Sequence, residues 1–341
     1  MKAIRIHEHG GLDQLKLDEV KTPKPQTNEV LIRVKACALN HLDIWVREGM
    51  PGVKIPLPHT PGCDVAGIIE AVGPGVVYQK GDEVILSPGT SCGVCWACTS
   101  GHENLCRHYG VIGETSNGGY AQYLCVSQDN VLPKPKNLSF EEAAAMPLVF
   151  LTAWHMLVHH GKLAPGHWVL IHAAGSGIGS AAIQIGKLFN AQMIATAGSQ
   201  EKLNRARDLG AQHLINYQKE DFLKRVREIT QKRGVDIVFE HTGKSTFEAS
   251  YKSLCRGGCL ITCGATTGWN VSIDLRYVFS KHLKILGSTM GTKSELMEVM
   301  AWAEKGVFKP VIDRTFPLHE AAKAQDYLNS RRHFGKVLLI P

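Results

Sequence analysis

The sequence predicts a two-domain α/β protein in which a doubly wound parallel sheet is inserted into a discontinuous, β-rich domain. Residues 1–135 contain short alternating segments separated by Gly and Pro, and helix signals there are sparse. Between 150 and 288, apolar strands alternate with helix-length segments, which is the pattern of a parallel doubly wound sheet. The tail after Gly287 returns to two helices and a final strand. We therefore predict one domain formed by 1–149 together with 289–341, and a second formed by 150–288.

Each element follows from the period of its apolar residues. In the β-rich part, alternating residues predict strands at VLIRVKA, GIIEAVG and DEVIL. In the inserted part, strands are expected at HWVLIHA, QMIATA, HLINY, DIVFEHTG and GCLITCG, with helices over 178–190, 200–209 and within 219–233, and a further helix after DIVFEHTG. In the tail, we predict helices near 295–305 and 320–329, followed by the strand GKVLLIP.

The composition describes an ordinary globular chain and excludes several classes of function. Hydrophobic residues make up 44% of the 341 residues and charged residues 20%, and the net charge of +7 comes from 38 basic and 31 acidic residues spread along the chain. The densest charged stretch, 219–233, has apolar residues at helical spacing, which predicts a solvated amphipathic helix. The most apolar run, 143–158, is shorter than a bilayer span and predicts a buried helix. We expect neither a nucleic-acid nor a membrane partner.

The N-terminus and the cysteines predict a reducing location. The segment MKAIRIHEHG has alternating apolar residues and no long apolar core, so it predicts a first strand rather than an export signal. Four of the 10 cysteines are crowded together, which favours metal binding over a disulfide framework. We therefore predict a cytoplasmic protein.

A strand, a turn of small residues and the start of a helix follow one another in WVLIHAAGSGIGSAA, residues 168–182. Small residues let the backbone approach a pyrophosphate, and the amides at a helix N-terminus favour its negative charge. The glycines are spaced GxGxG, an imperfect match to the dinucleotide fingerprint, and a tight strand-helix packing turn is the alternative. We predict a dinucleotide site here, with contacts from Gly175, Ser176, Gly177, Ile178 and Gly179.

The end of the second strand of the inserted domain favours NADP(H) over NAD(H). An NAD site has Asp or Glu at this point, beside the adenosine ribose, but the residues here are Ala197, Gly198 and Ser199. Without a carboxylate to repel it, a 2′-phosphate can accept a hydrogen bond from Ser199 and pair with Lys202. A solvated helix lysine is the alternative for Lys202. Tyr217, at the end of the third strand, either covers the same phosphate or closes a turn.

Cys92, Cys95, Cys98 and Cys106 form the pattern C-x2-C-x2-C-x7-C in a lobe that we place at 88–110. Four thiolates at short spacings, with no open position, are typical of structural zinc. An iron-sulfur cluster is the alternative, but its bacterial motif has a shorter final spacing followed by Pro, whereas Arg107 follows the last cysteine here. The sequence predicts one structural Zn²⁺ that fixes the loop and takes no part in the chemistry.

The order of these features resembles the medium-chain dehydrogenase/reductase superfamily, which contains zinc alcohol dehydrogenases and zinc-free quinone reductases. The resemblance covers essentially the whole chain, because it includes the β-rich start, the four-cysteine lobe, the inserted nucleotide unit and the terminal GKVLLIP. It implies a Rossmann domain inserted in a GroES-like domain. The lobe is similar to the alcohol dehydrogenase branch, whereas ALNHLDIWVREG at 38–49 and AAAMPLVFLTAWHML at 143–157 are similar to the quinone reductase branch.

The same resemblance implies that the ligands of a catalytic zinc are missing. The zinc branch has a Cys at the place of Asn40, a His-Glu pair at the place of Cys63 and Asp64, and a third ligand near Leu148. A catalytic zinc needs three protein ligands and an open position, so this set is incomplete. The alternative is a rearranged site drawn from His41, Cys63 and Asp64 with either His59 or His155.

The resemblance also extends the cofactor site beyond the first turn. Quinone reductases bind NADPH at positions that correspond here to Gly177, Gly179, Gly198, Ser199, Lys202, Tyr217 and Arg331. Ligands of doubly wound sheets bind where strands end, so the backbone of three later segments is expected to line the nicotinamide. These segments are 241–243, 263–266 and 288–291, and they include Thr242, Gly264 and Ala265.

Without zinc, the predicted reaction is delivery of a hydride to the β-carbon of an enone, enal, enoyl thioester or quinone. The charge then spreads into an enolate, which hydrogen-bond donors can hold. Asn40 is the candidate donor, and Asp43 is expected to brace its loop rather than react. Quinone reductases often have Tyr where this chain has Trp45, so water is expected to supply the proton. Trp45 either stacks on a flat acceptor or packs in the core.

The sequence thus predicts an NADP(H)-dependent oxidoreductase that acts on small molecules with activated double bonds or on quinones. Two alternatives stay open: a zinc alcohol dehydrogenase with a rearranged metal site, and a nucleotide-binding protein of the same fold without catalysis. The strand near 284–288 is expected at the edge of its sheet, where pairing with a second copy gives a homodimer or homotetramer.

Overall fold

A computed structural model describes all 341 residues, and contacts within the chain divide them into two compact units. The first unit comprises Met1–Leu148 and Thr292–Pro341, and the second comprises Val149–Gly291. The sequence places these junctions after residues 149 and 288, so the inserted unit of the structure begins one residue earlier and ends three residues later.

The N-terminal part of the first unit consists mainly of strands. In chain order its elements are β1 (Lys2–Arg5), β2 (Lys16–Glu19), β3 (Glu29–Ala38), α1 (His41–Glu48), β4 (Asp64–Val72), β5 (Glu83–Leu86), β6 (Gly89–Thr90), α2 (Trp96–Thr99), β7 (Gly110–Val111), β8 (Tyr123–Ser127), β9 (Val131–Pro133) and α3 (Phe140–Ala144), with 3₁₀ turns at Leu12–Gln14, Glu103–Leu105 and Gln128–Asn130. Helix α1 is absent from the sequence prediction. It begins where the Asp43 carboxylate accepts the backbone N–H of Asn40 at 2.7 Å, a capping interaction at the helix start.

The inserted part alternates strands and helices. It runs through α4 (Pro147–Trp154), a π-helical turn (His155–His160), β10 (Trp168–Ile171), α5 (Gly177–Leu188), β11 (Gln192–Ala197), α6 (Gln200–Leu209), β12 (His213–Asn216), α7 (Phe222–Ile229), β13 (Val235–Glu240), α8 (Phe247–Lys252), β14 (Leu254–Thr262), α9 (Leu275–Lys281) and β15 (Lys284–Gly287). The single buried helix predicted over 143–158 is therefore replaced by parts of α3 and α4 and the π-helical turn. The interruption precedes Pro147, because a proline disfavours helical backbone in the residue before it.

The C-terminal part returns to the first unit with α10 (Lys293–Glu304), β16 (Ile312–Pro317), a 3₁₀ turn (Leu318–Glu320), α11 (Ala321–Asn329) and β17 (Lys336–Ile340). Its two strands extend the main sheet of that unit, whose order is β16-β17-β3-β4-β5-β9, with β8 also paired to β3. The core of this unit packs on that sheet and includes Tyr120, which is fully buried.

The second unit contains one six-stranded parallel sheet in the order β12-β11-β10-β13-β14-β15. This arrangement confirms the predicted doubly wound fold, and β15 lies at the edge. The chain crosses from β12 on one side to β13 on the other, so the switch point of the topology lies between β10 and β13. Ligands of such sheets bind at the carboxyl ends of the strands beside this point. None of the helices in the structure combines the length and hydropathy that a bilayer crossing requires.

Candidate active site

The turn between β10 and α5 has the geometry that a pyrophosphate site requires. Ser176 caps α5: its hydroxyl accepts a hydrogen bond from the backbone N–H of Gly179 at 3.0 Å and donates one to the carbonyl of Ala173 at 2.8 Å. A Cβ on Gly179 would lie 2.6 Å from that carbonyl oxygen, so only glycine allows the helix to approach the strand this closely. The five residues predicted at this turn, Gly175, Ser176, Gly177, Ile178 and Gly179, all lie at the N-terminus of α5.

The residues predicted to select NADP(H) lie together beyond the end of β11. Ser199 is the N-cap of α6 and accepts the backbone N–H of Lys202 at 3.3 Å. The hydroxyl oxygen of Tyr217 lies 2.8 Å from the point where a Cβ on Gly198 would stand, so the ring covers this glycine. The Tyr217 side chain is 50% exposed, and Lys202 is half-buried. The strand end therefore presents donors and a cation, with no carboxylate between Ala197 and Ser199.

The loop after β13 is held by Glu240, a residue that the sequence interpretation did not single out. This fully buried carboxylate accepts the backbone N–H groups of Thr242 at 2.7 Å and Gly243 at 3.1 Å. The carbonyl of Thr242 in turn accepts the backbone N–H and the hydroxyl of Thr267. The predicted segments 241–243 and 263–266 thus lie side by side at the switch point, with Gly264 and Ala265 in the second of them.

Two histidines support the same loop from within the unit. His172 contacts the hydroxyls of Thr196 at 3.2 Å and Ser250 at 2.9 Å, and His241 contacts the carbonyl of His172 at 3.0 Å. Burial lowers the pKa of both rings, which favours neutral imidazoles at neutral pH. In the sequence, this network is indicated only by the polar residues His172, Glu240 and His241 at the ends of two otherwise apolar strands.

Arg331 lies in the other unit, directly after α11. It is exposed and has a backbone φ of 56°. Its predicted contact with the cofactor phosphate remains a prediction.

In the first unit, the residues at the expected place of a catalytic zinc form a closed hydrogen-bond network. Asn40, which is 6% exposed, donates from Nδ2 to Cys63 Sγ at 3.3 Å and to Asp64 Oδ2 at 2.9 Å. Its Oδ1 accepts a hydrogen bond from Lys336 Nζ at 2.6 Å. The sequence prediction assigned the amide hydrogens of Asn40 to the substrate, whereas in the structure both have partners inside the protein.

Lys336 is the central residue of this network, and sequence reasoning missed it. Its ammonium donates to Asp64 Oδ2 at 3.0 Å and to the carbonyl of Leu39 at 2.8 Å, in addition to Asn40. Asp64 Oδ1 accepts the backbone N–H of Leu148 at 2.8 Å. The side chains of Lys336 and Asp64 are only 4% and 0% exposed, so the pair is a buried salt bridge.

The chemistry of this network does not suit a metal site. Burial raises the pKa of the Cys63 thiol well above its usual range, and the nearby carboxylates of Asp64 and Asp43 add to the effect. Metals bind the thiolate, so an ion at this point would have to take the place of the thiol proton beside two carboxylates that are already hydrogen-bonded. The Asp64 carboxylate already accepts three hydrogen bonds, one of them from an ammonium.

Within the first unit, His41 and His59 do not form a cluster of metal-ligating atoms with Cys63 and Asp64. The ring of His59 is buried and contacts the carbonyl of Gly113 at 2.9 Å. His41 is half-buried at the start of α1. His155 belongs to the second unit, where its ring packs on His159 and His160.

Helix α1 carries the remaining predicted catalytic residues. The Asp43 carboxylate accepts hydrogen bonds from the Asn40 backbone and from the hydroxyl of Tyr120 at 3.0 Å, and burial raises its pKa to about 6. Trp45 is half-buried, and its ring meets the His41 ring edge-on with centroids 5.0 Å apart. Asp43 thus fixes the helix start, while His41 and Trp45 form a partly exposed aromatic pair.

The four cysteines of the predicted zinc lobe, which we call the knuckle, converge on one point. Their sulfur atoms lie 3.5 Å apart for Cys95–Cys98, 3.7 Å for Cys95–Cys106, 3.6 Å for Cys92–Cys106 and 3.9 Å for Cys92–Cys98. Four sulfurs that bind zinc tetrahedrally at about 2.3 Å lie about 3.8 Å apart. The cluster therefore fits a structural zinc.

Comparison with known proteins identifies the family. Residues 26–136 match the alcohol dehydrogenase GroES-like domain, and residues 177–305 match the zinc-binding dehydrogenase domain. The quinone oxidoreductase of Rattus norvegicus is 33% identical over 349 aligned positions, which cover 100% of this chain and 98% of that protein. The chain belongs to the medium-chain dehydrogenase/reductase superfamily. It is therefore an oxidoreductase of this type, with the predicted GroES-like and Rossmann folds.

Superfamily members with another activity are as similar to this chain or more so. The NAD-dependent alcohol dehydrogenase of Saccharolobus solfataricus is 33% identical over 355 aligned positions, covering 100% of both chains. A crystal structure of an NAD-dependent alcohol dehydrogenase superposes with a TM-score of 0.97 at 47% identity and covers 100% of both chains. Since these relatives differ in activity, the choice among them depends on the site itself.

Proposed function

We propose that this protein reduces activated double bonds or quinones with NADP(H) and without a catalytic zinc. The observation that carries the proposal is the closed network of Asn40, Cys63, Asp64 and Lys336. Where the resemblance places zinc ligands, this chain has an amide, a buried thiol that accepts a hydrogen bond from that amide, and a carboxylate neutralised by an ammonium. A cation at this point would have to displace Lys336 and deprotonate Cys63, and both steps cost free energy.

Support for NADP(H) comes from the end of β11. The Ser199 hydroxyl accepts the backbone N–H of Lys202 and can still donate its own hydrogen. With the Lys202 side chain and the half-exposed Tyr217 ring, it forms a set of donors that suits a 2′-phosphate. We propose that the N-terminus of α5 binds the pyrophosphate, that Thr242, Gly264 and Ala265 line the nicotinamide, and that Arg331 adds a cation for the phosphate.

When bound, the reduced nicotinamide supplies a hydride to the β-carbon of the acceptor, and negative charge develops on the acceptor's oxygen. We propose that backbone N–H groups near Asn40, at the positive end of α1, stabilise that charge. Asn40 then acts as a positioning residue, because both its amide hydrogens are used, and Asp43 braces the helix start. Trp45 offers a face for a flat acceptor, and water supplies the proton.

An alcohol dehydrogenase activity is the second candidate, and the similarity to an NAD-dependent alcohol dehydrogenase at 47% identity favours it. The two functions differ in acceptor and in cofactor. Oxidation of primary or secondary alcohols with NAD⁺ would be the main activity of the second candidate, and reduction of enones or quinones with NADPH that of the first.

Steady-state assays on the full chain test both. NADPH and NADH are supplied with a panel of enones, enals, enoyl thioesters and quinones, and NAD⁺ and NADP⁺ with a panel of alcohols. We expect NADPH consumption with members of the first panel and retention of that activity in Cys63→Ala. Loss of all activity in Cys63→Ala with the fold intact, or turnover of alcohols only, would contradict the proposal.

We further propose that the protein is a homodimer, or a homotetramer built from such dimers, through the edge strand β15. Leu275 and Phe279 on the neighbouring α9 are each 68% exposed, which is unusual for large apolar side chains unless a partner covers them. Light scattering on Ile285→Lys should show monomers, with Lys80→Met as the control for a surface change.

The knuckle thiols must stay reduced to bind zinc, which supports a cytoplasmic location.

A further inference from the structure

Three histidines outside the site described above converge on the π-helical turn that follows α4. The ligand nitrogens of His155, His159 and His160 all lie within 4.8 Å of one another. Their ring centroids are 4.6 Å apart for His155 and His159, 4.5 Å for His155 and His160, and 5.2 Å for His159 and His160. We call these three residues the tri-histidine cluster.

The π-helical turn is what brings the third ring into the cluster. In an α-helix, successive residues are rotated by about 100°, so the residue at i+5 points about 140° away from residue i. A π-helix closes its hydrogen bonds from i to i+5 and is correspondingly wider, so residues at i+4 and i+5 both lie next to residue i. Here Gly161 donates its backbone N–H to the carbonyl of Met156 at 2.9 Å, which is such a bond. His159 and His160 therefore both adjoin His155.

Packing against the rest of the second unit holds this turn in place. The turn contacts β13, β14 and α5, and Met156 and Leu157 are fully buried within it. A Cβ on Gly161 would lie 2.9 Å from Ile237 Cδ1 on β13 and 2.8 Å from the carbonyl of Leu157, so the chain can pass only as glycine. The backbone positions from which the three rings project are thus set by the fold.

We propose that the tri-histidine cluster is a binding site for a divalent transition-metal ion of the Zn²⁺ class. Imidazole nitrogen suits Zn²⁺, Ni²⁺ and Cu²⁺, and three histidines with an open fourth position form a known type of zinc coordination. His155 is 4% exposed and His160 is half-buried, whereas His159 is exposed, so the fourth ligand is water or an anion from solvent. Zinc at about 2.0–2.1 Å from each nitrogen requires nitrogens about 3.4 Å apart. The His159 ring stacks on the His155 ring at an interplanar angle of 12°, and a ring nitrogen binds a metal in the plane of its ring, so the exposed His159 ring must turn out of this stack to reach the same ion. The His160 ring already stands at 72° to the His155 ring.

The test counts ions on the full chain and does not depend on the proposed function. Protein dialysed against a mild chelator, with zinc retained in the knuckle, is titrated with Zn²⁺ by calorimetry. We expect one further ion per chain in the micromolar range or tighter. In His159→Gln/His160→Gln, binding of that ion should weaken by at least about 100-fold, because loss of even an outer-sphere partner of a ligand costs about 10- to 100-fold. The exposed His319 provides the matched control His319→Gln, which should bind as the wild type does.

Two results would overturn the proposal. One is a wild-type chain that takes up no second ion, and the other is a second ion that survives in His159→Gln/His160→Gln. Retained knuckle zinc and an unchanged circular dichroism spectrum report that the double variant is folded. If it does not fold, His159→Gln alone replaces it, since that side chain is exposed and packs on the rings of His155 and His160 within the cluster.

Discussion

Replacing Lys336 by Met tests the buried network on which the proposed zinc-free mechanism depends. The substitution removes an ammonium that is 4% exposed from a carboxylate that is 0% exposed. Asp64 would retain hydrogen bonds from Asn40 Nδ2 and the Leu148 backbone, which offset part of the loss. The Leu39 carbonyl and Asn40 Oδ1 would each lose a hydrogen-bond donor, which lowers the free energy of unfolding further. Breaking a buried ion pair costs about 3–5 kcal/mol, and we expect a loss of unfolding free energy in that range.

Urea unfolding measures this loss, with hydrogen exchange at β3 and β17 to report the first unit alone. The matched control is Lys80→Met, which removes an equally close lysine-carboxylate contact, 2.7 Å from Glu70, where the lysine is 71% exposed. Water screens that pair, so we expect little change in stability. Combining Lys336→Met with Asp64→Asn removes the unpaired charge and should restore part of the loss. A Lys336→Met protein no less stable than Lys80→Met, or a double variant as unstable as the sum of its single changes, would refute the reasoning.

Three other predictions follow from the site. Ser199→Asp keeps the cap of α6 but adds a carboxylate about 6 Å from the proposed 2′-phosphate. In a dielectric of about 20, the repulsion should raise the KM for NADPH by about tenfold or more. The KM for NADH should stay nearly unchanged. Burial raises the Asp43 pKa from 3.8 to about 6, so ionisation of this carboxyl opposes folding. In thermal unfolding scans, the stability of the wild type relative to Asp43→Asn should therefore fall as pH rises from 4 to 7. Cys98→Ser should remove the knuckle zinc, which metal analysis measures, and should expose 88–110 to limited proteolysis. NADPH binding, measured by fluorescence titration, should persist.

The sequence predicts the regular parts of this fold because their information is local. Helix α6 begins and ends at the predicted residues, Gln200 and Leu209, since its apolar residues repeat at helical spacing and Ser199 is a readable cap. The knuckle is also predictable from local sequence, because four cysteines within one short loop stay close together in space. Helix α1 was missed because its eight residues lie among strands, although Asn40 and Asp43 at its start carry the spacing of a capping interaction.

The Lys336–Asp64 network and the tri-histidine cluster could not be predicted from local sequence. Lys336 begins a strand that appears ordinary in the sequence, and a lysine at such a place is usually exposed. It becomes buried because β17 pairs with β3, with Leu338 opposite Ala38, and this register brings its ammonium to Asp64, 272 residues away in the chain. The tri-histidine cluster depends on a π-helical turn, and that turn ends at Gly161, where Ile237 of β13 approaches the chain closely. Both features are tertiary.

A zinc count alone cannot decide between the reductase and the zinc alcohol dehydrogenase. One ion per chain in the knuckle is compatible with both if a catalytic ion is weakly held. Two ions per chain are compatible with the reductase if the second lies in the tri-histidine cluster. The location of the second ion separates them: loss in His159→Gln/His160→Gln with retention in Cys63→Ala places it in the second unit, remote in sequence from the Asp64 network. The opposite result would mean that the Lys336–Asp64 pair opens to admit a metal, and the zinc-free mechanism would then fail.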